Sequence, residues 1–241
     1  MEKTKTPARR APGRAASLSA PDILRQLKAM ADPANVAGMA RFGMSARKRL
    51  GISMPHLRSM AREAGRDHAR ALQLWKSGIP EARIMAALTA VPGELTGDQM
   101  DAWAGDFDSW DVCDQVCMNL FDRSPLAWQK VGEWSGRDGE YVRRAAFALI
   151  ACLAWHDREA GDGRFLGFLP LIRDGALDER NYVKKAVSWA LRHIGKRNPR
   201  LWKAAMKTAR ELKHLDSKAA RWIASDVIRD LEGRRAVKAR T

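Results

Sequence analysis

The sequence is poor in residues that build cross-linked or metal-stabilised proteins. Its 241 residues include only three cysteines, Cys113, Cys117 and Cys152, and they lack the CxxC spacing of many disulfide and zinc sites. The five histidines do not combine with cysteines or acids at a metal-ligand spacing, and no glycine-rich phosphate loop occurs. We therefore expect reduced cysteines that pack as small apolar core residues, and neither a metal nor an organic cofactor.

Long apolar runs are also absent. No run approaches the roughly 18 residues that a membrane-spanning helix needs. The first 20 residues contain no apolar segment of the kind found in secretory signals. The expectation is a cytoplasmic protein that does not associate with a membrane.

Strand-forming residues are scarce as well. Valine, isoleucine and threonine together number only 25, whereas alanine and leucine number 61. With 46% hydrophobic and 29% charged residues, the chain has the composition of a folded domain and not of a disordered one. An all-α fold is therefore predicted.

Basic charge is concentrated at the two ends of the sequence. The net charge of +15 divides into +5 for residues 1–28, zero for 29–191 and +10 for 192–241, which favours a polyanionic partner. Residues 1–20 are predicted to be a disordered basic arm, which either adds phosphate affinity or only solubilises the chain. Residues 233–241 are predicted to be a short basic tail, which leaves 21–232 as the folded domain.

Proline, glycine, aspartate and serine divide the folded domain into about a dozen short helical segments. One is predicted over 164–174, and Ser109, Asp178 and Asp216 are expected to be N-caps. The segments pair into hairpins of about 35–45 residues, a period that is typical of a HEAT-like α-solenoid with a concave binding face. A compact irregular helical bundle is the alternative.

Three predicted helices carry unusual residues. In 179–196, an apolar stripe faces away from Lys185, Trp189, Arg192 and Lys196. A tryptophan within a cationic row is typical of a nucleic-acid surface. The alternatives are that a neighbouring helix covers Trp189 or that it is a lone exposed aromatic residue.

In 109–121, Trp110 and Asp114 are four residues apart and share a helix face. There Asp114 either polarises a water molecule or is an ordinary acid favoured by the helix dipole.

The helix over 139–155 is apolar nearly all round and is expected to be central. Arg144 enters it and needs a partner, either a protein acid or a phosphate, whereas Arg143 points elsewhere. Since 30 residues separate Asp114 from Arg144 and 45 separate Arg144 from Trp189, each gap is about one hairpin. The three sites are therefore predicted to converge on one face.

Five segments resemble the AlkD-type DNA alkylation repair family, the HEAT-like-repeat alkylpurine DNA glycosylases. They are MARFG (39–43), LGISMPHLR (50–58), SWDVCD (109–114), VRRAAF (142–147) and VKKAVSWALRHIGKRNP (183–199). The resemblance spans about residues 22–231. It implies a catalytic site of Asp114, Trp110 and Trp189, and DNA contacts from Arg144. Phe42 stands where the family pattern has a tyrosine, so its ring is kept and its hydroxyl is lost.

The resemblance also implies a chemistry. Such proteins hydrolyse the N-glycosidic bond of cationic N3- or N7-alkylated purines in duplex DNA, with tryptophan faces and an aspartate stabilising an oxocarbenium-like transition state. No metal or organic cofactor is needed. A monomer in the bacterial cytoplasm, at the nucleoid when DNA-bound, is expected. The DNA-binding set is expected to comprise Phe42, Arg144, Lys185, Arg192, Lys196 and Arg197.

Two other functions compete with this one. A non-catalytic binder of damaged or branched DNA on the same solenoid is the first alternative, because some relatives lack the catalytic residues. A protein-binding scaffold is the second, although the clustered basic charge favours nucleic acid over acidic protein partners.

Overall fold

The computed structural model describes residues 18–238, and the side chains of 18–233. Within this range the regular structure is entirely helical, as predicted. The α-helices in chain order are α1 (Ala20–Ala29), α2 (Pro33–Ala40), α3 (Met54–Ala64), α4 (His68–Lys76), α5 (Pro80–Thr89), α6 (Gly97–Gly105), α7 (Trp110–Asn119), α8 (Ala127–Ser135), α9 (Glu140–His156), α10 (Asp162–Leu166), α11 (Leu169–Gly175), α12 (Asn181–Lys196), α13 (Pro199–Lys213) and α14 (Lys218–Lys238). Short 3₁₀ turns lie at Pro92–Glu94 and Phe121–Arg123.

The chain ends differ from the predicted boundaries. Ser19 caps α1, so residues 18–20 belong to the folded part, and the rest of the predicted basic arm lies outside the described residues. At the other end, α14 continues through Lys238, so most of the predicted tail is helical.

The predicted helix over 164–174 is two helices, α10 and α11. Pro170 explains the break, because it has no N–H to donate to the carbonyl of Leu166 and its ring crowds that carbonyl. Among the predicted N-caps, Ser109 is confirmed as the N-cap residue of α7, although its hydroxyl donates to Asp111 and makes no capping hydrogen bond.

The other two predicted N-caps are wrong by one or two positions. Asp178 lies two residues before Arg180, the N-cap of α12, and accepts the Arg180 amide N–H. At α14 the hydroxyl of Ser217, not Asp216, accepts the amide N–H of Ala220.

The helices form a two-layered solenoid of antiparallel hairpins. In the inner layer each helix packs on the next, in the order α3, α5, α7, α9, α12 and α14. In the outer layer α4 packs on α5, α8 on α9, and α13 on both α12 and α14. This stacking of neighbouring hairpins confirms the HEAT-like solenoid and not an irregular bundle.

The central helix α9 is buried from Arg144 through Ala154, as its apolar sequence predicts. Its alanines are small enough to let α12 approach closely, since α9 and α12 make the most extensive helix pair of the described chain. The three cysteines lie completely buried around this helix, in agreement with their expected core position. No helix in the described range is both long and apolar enough to cross a membrane.

Gly175 shows how closely the layers are packed against α9. A Cβ atom at this position would lie 2.2 Å from the ring of the fully buried Phe147 on α9. Such a clash requires the ring or the helix to move, and the dense core leaves no room for either movement.

We therefore expect Gly175→Ala to lower the free energy of unfolding by about 1–3 kcal/mol, because it overpacks the core. Urea-induced unfolding measures this change. The matched control is Gly132→Ala in α8, where nothing lies within 4 Å of the added Cβ. That variant should gain about 0.5–1 kcal/mol from helix propensity, and equal losses in the two variants would contradict the packing argument.

Candidate functional site

A groove of about 630 Å³ runs across the inner layer. Helices α2, α3, α5, α7, α9, α12 and α14 all contribute side chains to it. Trp110, Asp114, Arg144 and Trp189 therefore lie along one groove, although they are far apart in the sequence. The solenoid brings them together because corresponding helices of successive repeats line the same face.

Asp114 and Arg144 form a two-pronged ion pair at the bottom of the groove. The Nε and Nη2 atoms of Arg144 donate to the two carboxylate oxygens of Asp114 at 2.9 and 2.8 Å. The third nitrogen, Nη1, donates to the carbonyl oxygen of Tyr182 at 2.6 Å. Side-chain exposure is only 6% for Arg144 and 14% for Asp114. Arg144 is thus paired with a protein acid, one of the two partners predicted for it.

Burial and the ion pair have opposite effects on the pKa values of these two groups. Burial raises the pKa of Asp114 above its ordinary value, while the charge and hydrogen bonds of Arg144 act in the opposite direction. For Arg144, desolvation lowers the pKa but the Asp114 carboxylate outweighs it and raises the pKa further. The Arg144 guanidinium stays charged, and it donates to both oxygens of Asp114, as it would to an ionised carboxylate. The pair leaves a desolvated carboxylate with its edge on the groove.

Trp110 forms one wall beside this carboxylate. The guanidinium carbon of Arg144 lies 5.9 Å from the centre of the Trp110 ring, at the outer limit of a cation–π contact. The Trp110 indole N–H donates to the carbonyl oxygen of Phe42 at 3.1 Å. The backbone of Phe42 is thereby held beside the groove, while its ring is 75% exposed and does not line the groove.

The loop after Phe42 is held by a second contact. The hydroxyl of Tyr182 donates to the carbonyl oxygen of Gly43 at 3.0 Å. Gly43 has φ +74° and a Cβ there would lie 2.5 Å from that hydroxyl, so the position requires glycine on both counts. Two adjacent carbonyls are therefore fixed by Trp110 and by Tyr182.

Helix α12 supplies the opposite wall with Lys185, Trp189 and Arg192. Lys185 is exposed, and Trp189 is partly buried against the core. Arg192 lies 3.5 Å from Asp226 and 3.8 Å from Asp230, and Lys196 lies 2.8 Å from Asp230. The predicted cationic row is therefore largely neutralised by acids of α14, which the sequence of α12 alone does not reveal.

Arg197 does not point to the groove. Its guanidinium donates to the carbonyl oxygens of Ala154, Asp157 and Ala160, and lies 4.1 Å from the ring centre of Phe165. It therefore closes the C-terminal end of α9. Arg143 is paired with Asp178 at 3.1 Å, which confirms that it points away from Arg144.

Sequence reasoning missed Trp222 and a set of methionines. Trp222 on α14 is 40% exposed, lines the groove, and has the ammonium group of Lys184 5.1 Å from its ring centre. An exposed tryptophan within a basic segment was the available signal. The methionines form an apolar wall from α2 to α7, and they are Met39, Met44, Met54 and Met118.

The groove as a whole is electrically balanced. Its described lining contains four basic residues, Arg49, Arg144, Lys185 and Arg192, and four acidic residues, Glu81, Asp111, Asp114 and Asp226. In residues 18–238, no group of three or more histidine, cysteine or acidic side chains is arranged to hold a metal ion. The groove offers aromatic faces, one exposed ammonium group and a desolvated carboxylate.

One family of proteins matches most of this chain. The model of the family described as DNA alkylation repair enzyme matches residues 23–228, which include every described residue that lines the groove. No curated protein matches the chain.

Two solved structures resemble this chain to different degrees. One belongs to a protein of "a new family of proteins related to the HEAT-like repeat DNA glycosylases with affinity for branched DNA structures". It has a TM-score of 0.73 and 16% identity, over 88% of this chain and 95% of that one. A designed armadillo repeat protein in complex with a (KR)4 peptide has a TM-score of 0.40 and 15% identity, over 86% of this chain and 91% of that one. The first likeness shows the fold, and the second is too distant to support an argument.

The buried ion pair leads to a pH-dependent prediction. We expect Arg144→Met to lower the free energy of unfolding by about 3–5 kcal/mol near neutral pH, because it leaves the Asp114 carboxylate buried and unpaired. Without Arg144 the raised pKa of Asp114 should rise further. The folded state then binds a proton that the unfolded state does not, so the loss should shrink as the pH falls towards about 5. Urea-induced unfolding at the two pH values measures this.

The control is the double variant with Asp114→Leu, which removes both charges. It should recover most of the stability at neutral pH, since a buried pair is often replaceable by apolar residues. A loss in Arg144→Met that is independent of pH, or no recovery in the double variant, would contradict the assignment.

Proposed function

The chain belongs to the DNA alkylation repair enzyme family, and from this membership we propose that it is a monofunctional DNA glycosylase. In this proposal it hydrolyses the N-glycosidic bond of cationic N3- or N7-alkylated purines in duplex DNA. Asp114 and the faces of Trp110 and Trp189 carry the reaction. The observation that supports it is a desolvated carboxylate that lines the same groove as two tryptophans.

The chemistry needs little beyond these groups. An alkylated purine already carries a positive charge and leaves readily, so the deoxyribose develops oxocarbenium character as the bond breaks. The indole faces and the Asp114 carboxylate stabilise that positive charge, and the carboxylate also orients the attacking water. A buried carboxylate acts more strongly than one in water, because little solvent screens it.

Arg144 acts in this proposal as a positioning residue. Its two hydrogen bonds fix the plane of the carboxylate, and its bond to the Tyr182 carbonyl fixes its own position. The carboxylate therefore does not have to reorganise when charge develops on the sugar, which is the basis of electrostatic preorganisation.

The balanced charge of the groove supports a cationic substrate. Four acids offset four basic residues along the lining, so a positively charged base meets no net repulsion there. Phosphate attraction falls mainly to Lys185, whose ammonium group is exposed at the rim. Binding of the DNA backbone and stabilisation of the reacting sugar are then carried by different residues.

The second candidate is a non-catalytic binder of damaged or branched DNA. The observation that favours it is that Arg144 engages both oxygens of Asp114, which competes with a role for that carboxylate in catalysis. The structurally similar protein described above is itself related to glycosylases and has affinity for branched DNA. A base-release assay separates the two candidates.

The decisive variant is Asp114→Asn. We expect it to bind duplex DNA as the wild type does. It should release 7-methylguanine at least about 100-fold more slowly, because the neutral amide stabilises the sugar cation poorly. Release is measured under single-turnover conditions on a duplex with one 7-methylguanine, and normalised to the folded fraction.

Asp111→Asn is a matched control on the same helix. Arg49 donates to both oxygens of Asp111 at 2.9 Å, and the side-chain exposure of that pair, 2% and 13%, is close to that of the Arg144–Asp114 pair. It should lose similar stability and keep base release. Full release by Asp114→Asn would make Asp114 purely structural. No release by the wild type, with tight DNA binding, would favour the second candidate.

The rim of the groove provides a separate binding prediction. We expect Lys185→Glu to weaken binding to any duplex and to reduce the slope of log affinity against log salt by about one. Lys207→Glu changes the net charge equally on the outer helix α13, where the side chain is 79% exposed, and should change neither quantity. Equal weakening in both variants would show only a general charge effect.

A further inference from the structure

A second cavity of about 850 Å³ lies beside the groove, where α9 and α12 end. Helix α12 contributes to both, since Trp189 and Arg192 line the groove whereas His193 and Lys196 line the cavity. The two are therefore adjacent along one helix. The described lining of the cavity comprises Ala154, Trp155, Arg158, Ala160, Asp162, His193, Lys196, Arg197 and Asn198.

A row of rings connects the groove with this cavity. The ring centroid of His193 lies 5.9 Å from that of Trp189 on one side and 5.9 Å from that of Trp155 on the other. The centroid of Trp155 in turn lies 5.0 Å from that of His156. These centroid distances are all within the range of direct aromatic contact. The interplanar angles of 89°, 50° and 27° show that successive rings turn relative to one another.

Trp155 is the exposed centre of this row. Half of its surface, 50%, is open to solvent, although it is the largest apolar side chain type and follows a completely buried stretch of α9. Its ring is nevertheless held in place, because His156 stacks on it and His193 contacts it. An exposed but fixed indole loses little conformational entropy when a ligand stacks on it.

His156 is itself held by a buried acid. Its Nδ1 pairs with the carboxylate of Asp122, whose side chain is fully buried, so one edge of the imidazole is tied to the protein. Burial raises the pKa of Asp122, and the bond to His156 opposes that effect. The platform of Trp155 and His156 is thus built into the structure before any ligand binds.

The charge of the cavity suits a polyanion. Arg158, Lys196 and Arg197 line it, against the single acid Asp162. Lys196 and Arg197 have protein partners, whereas the side chain of Arg158 is exposed at the entrance. Aromatic faces beside cationic groups are the features that bind single-stranded nucleic acid.

We propose that this row binds unpaired nucleotides that continue from the DNA in the groove, with a base stacked on Trp155. The proposal rests on the proposed function only in taking DNA to be the occupant of the groove. Paired bases in a duplex keep their faces covered by their neighbours, so only unpaired nucleotides can offer them to the row. Rings at different angles also suit a flexible strand, whose bases turn independently.

The test compares two DNA probes that share one duplex. The first is blunt, and the second carries a single-stranded overhang of about eight nucleotides, with each strand polarity tried. We expect the wild type to bind the overhang probe about 5- to 100-fold more tightly for one polarity, the range that one base stacked on an aromatic ring provides. Trp155→Ala should lose this gain and keep its affinity for the blunt probe. Trp155→Phe should recover part of it.

Two controls identify the cause of the gain. Leu177→Ala removes another large apolar side chain that is 55% exposed, and should behave as the wild type. An overhang of abasic nucleotides keeps the phosphates but removes the bases, and should lose most of the gain. The proposal is overturned if the gain is absent, if it survives with abasic nucleotides, or if Trp155→Ala leaves it unchanged.

The same measurements separate this proposal from the proposed function. Binding to the overhang is read without base release, so a protein that releases no 7-methylguanine but loses its overhang gain in Trp155→Ala supports the row and not the glycosylase. A protein that releases 7-methylguanine but shows no overhang gain supports the glycosylase and not the row.

Discussion

Arg144 joins three consecutive helices of the inner layer through one guanidinium group. From α9 it reaches Asp114 on α7 and the carbonyl oxygen of Tyr182 on α12. A solenoid holds each repeat only through its neighbours, and alanine-rich faces pack without strong directional preference. A two-pronged ion pair is directional, and it therefore fixes how far one inner helix stands from the next. Glu81 has a similar role at α5, where one carboxylate oxygen accepts the amide N–H groups of Leu50 and Gly51.

These internal ties also determine the electrostatics of the groove. Arginines that hold helices together are already compensated, so the large positive charge of the chain does not translate into a strongly positive groove. What remains available there is the exposed ammonium group of Lys185 and the aromatic faces of Trp110, Trp189 and Trp222. The arrangement favours a polyanion at the rim and a cation at the bottom. That combination is what the proposed function requires of the groove.

The sequence predicts the helices and the residues of the inner face better than it predicts which side chains form ion pairs with one another. Only some helix starts follow from local signals, since Ser109 does precede α7 as predicted, whereas Ser19, the cap of α1, lies in the predicted basic arm. The burial of α9 does follow from its unbroken apolar run. The sequence does not show which partner Arg144 takes, because an acid and a phosphate both provide the negative charge and the hydrogen-bond acceptors that a buried arginine needs. The cationic row on α12 is neutralised by Asp226 and Asp230, which lie on the next inner helix. Nothing in the sequence around these two acids indicates that they pair with α12. Which side chains pair between repeats depends on how the repeats stack on one another. The periodicity within one helix carries no information about that stacking.

Helix α12 shows why one helix can serve two surfaces. Its apolar stripe fixes its rotation against α9, and the bond from Ser188 to Asp226 at 2.6 Å fixes it against α14. With the rotation fixed, Trp189 must face the groove, and His193, one turn later, must face the neighbouring cavity. The helical rise of about 6 Å over four residues places the two side chains on neighbouring turns, and their ring centres lie 5.9 Å apart. In our proposal, a strand that leaves the groove along α12 therefore meets the ring of His193 next.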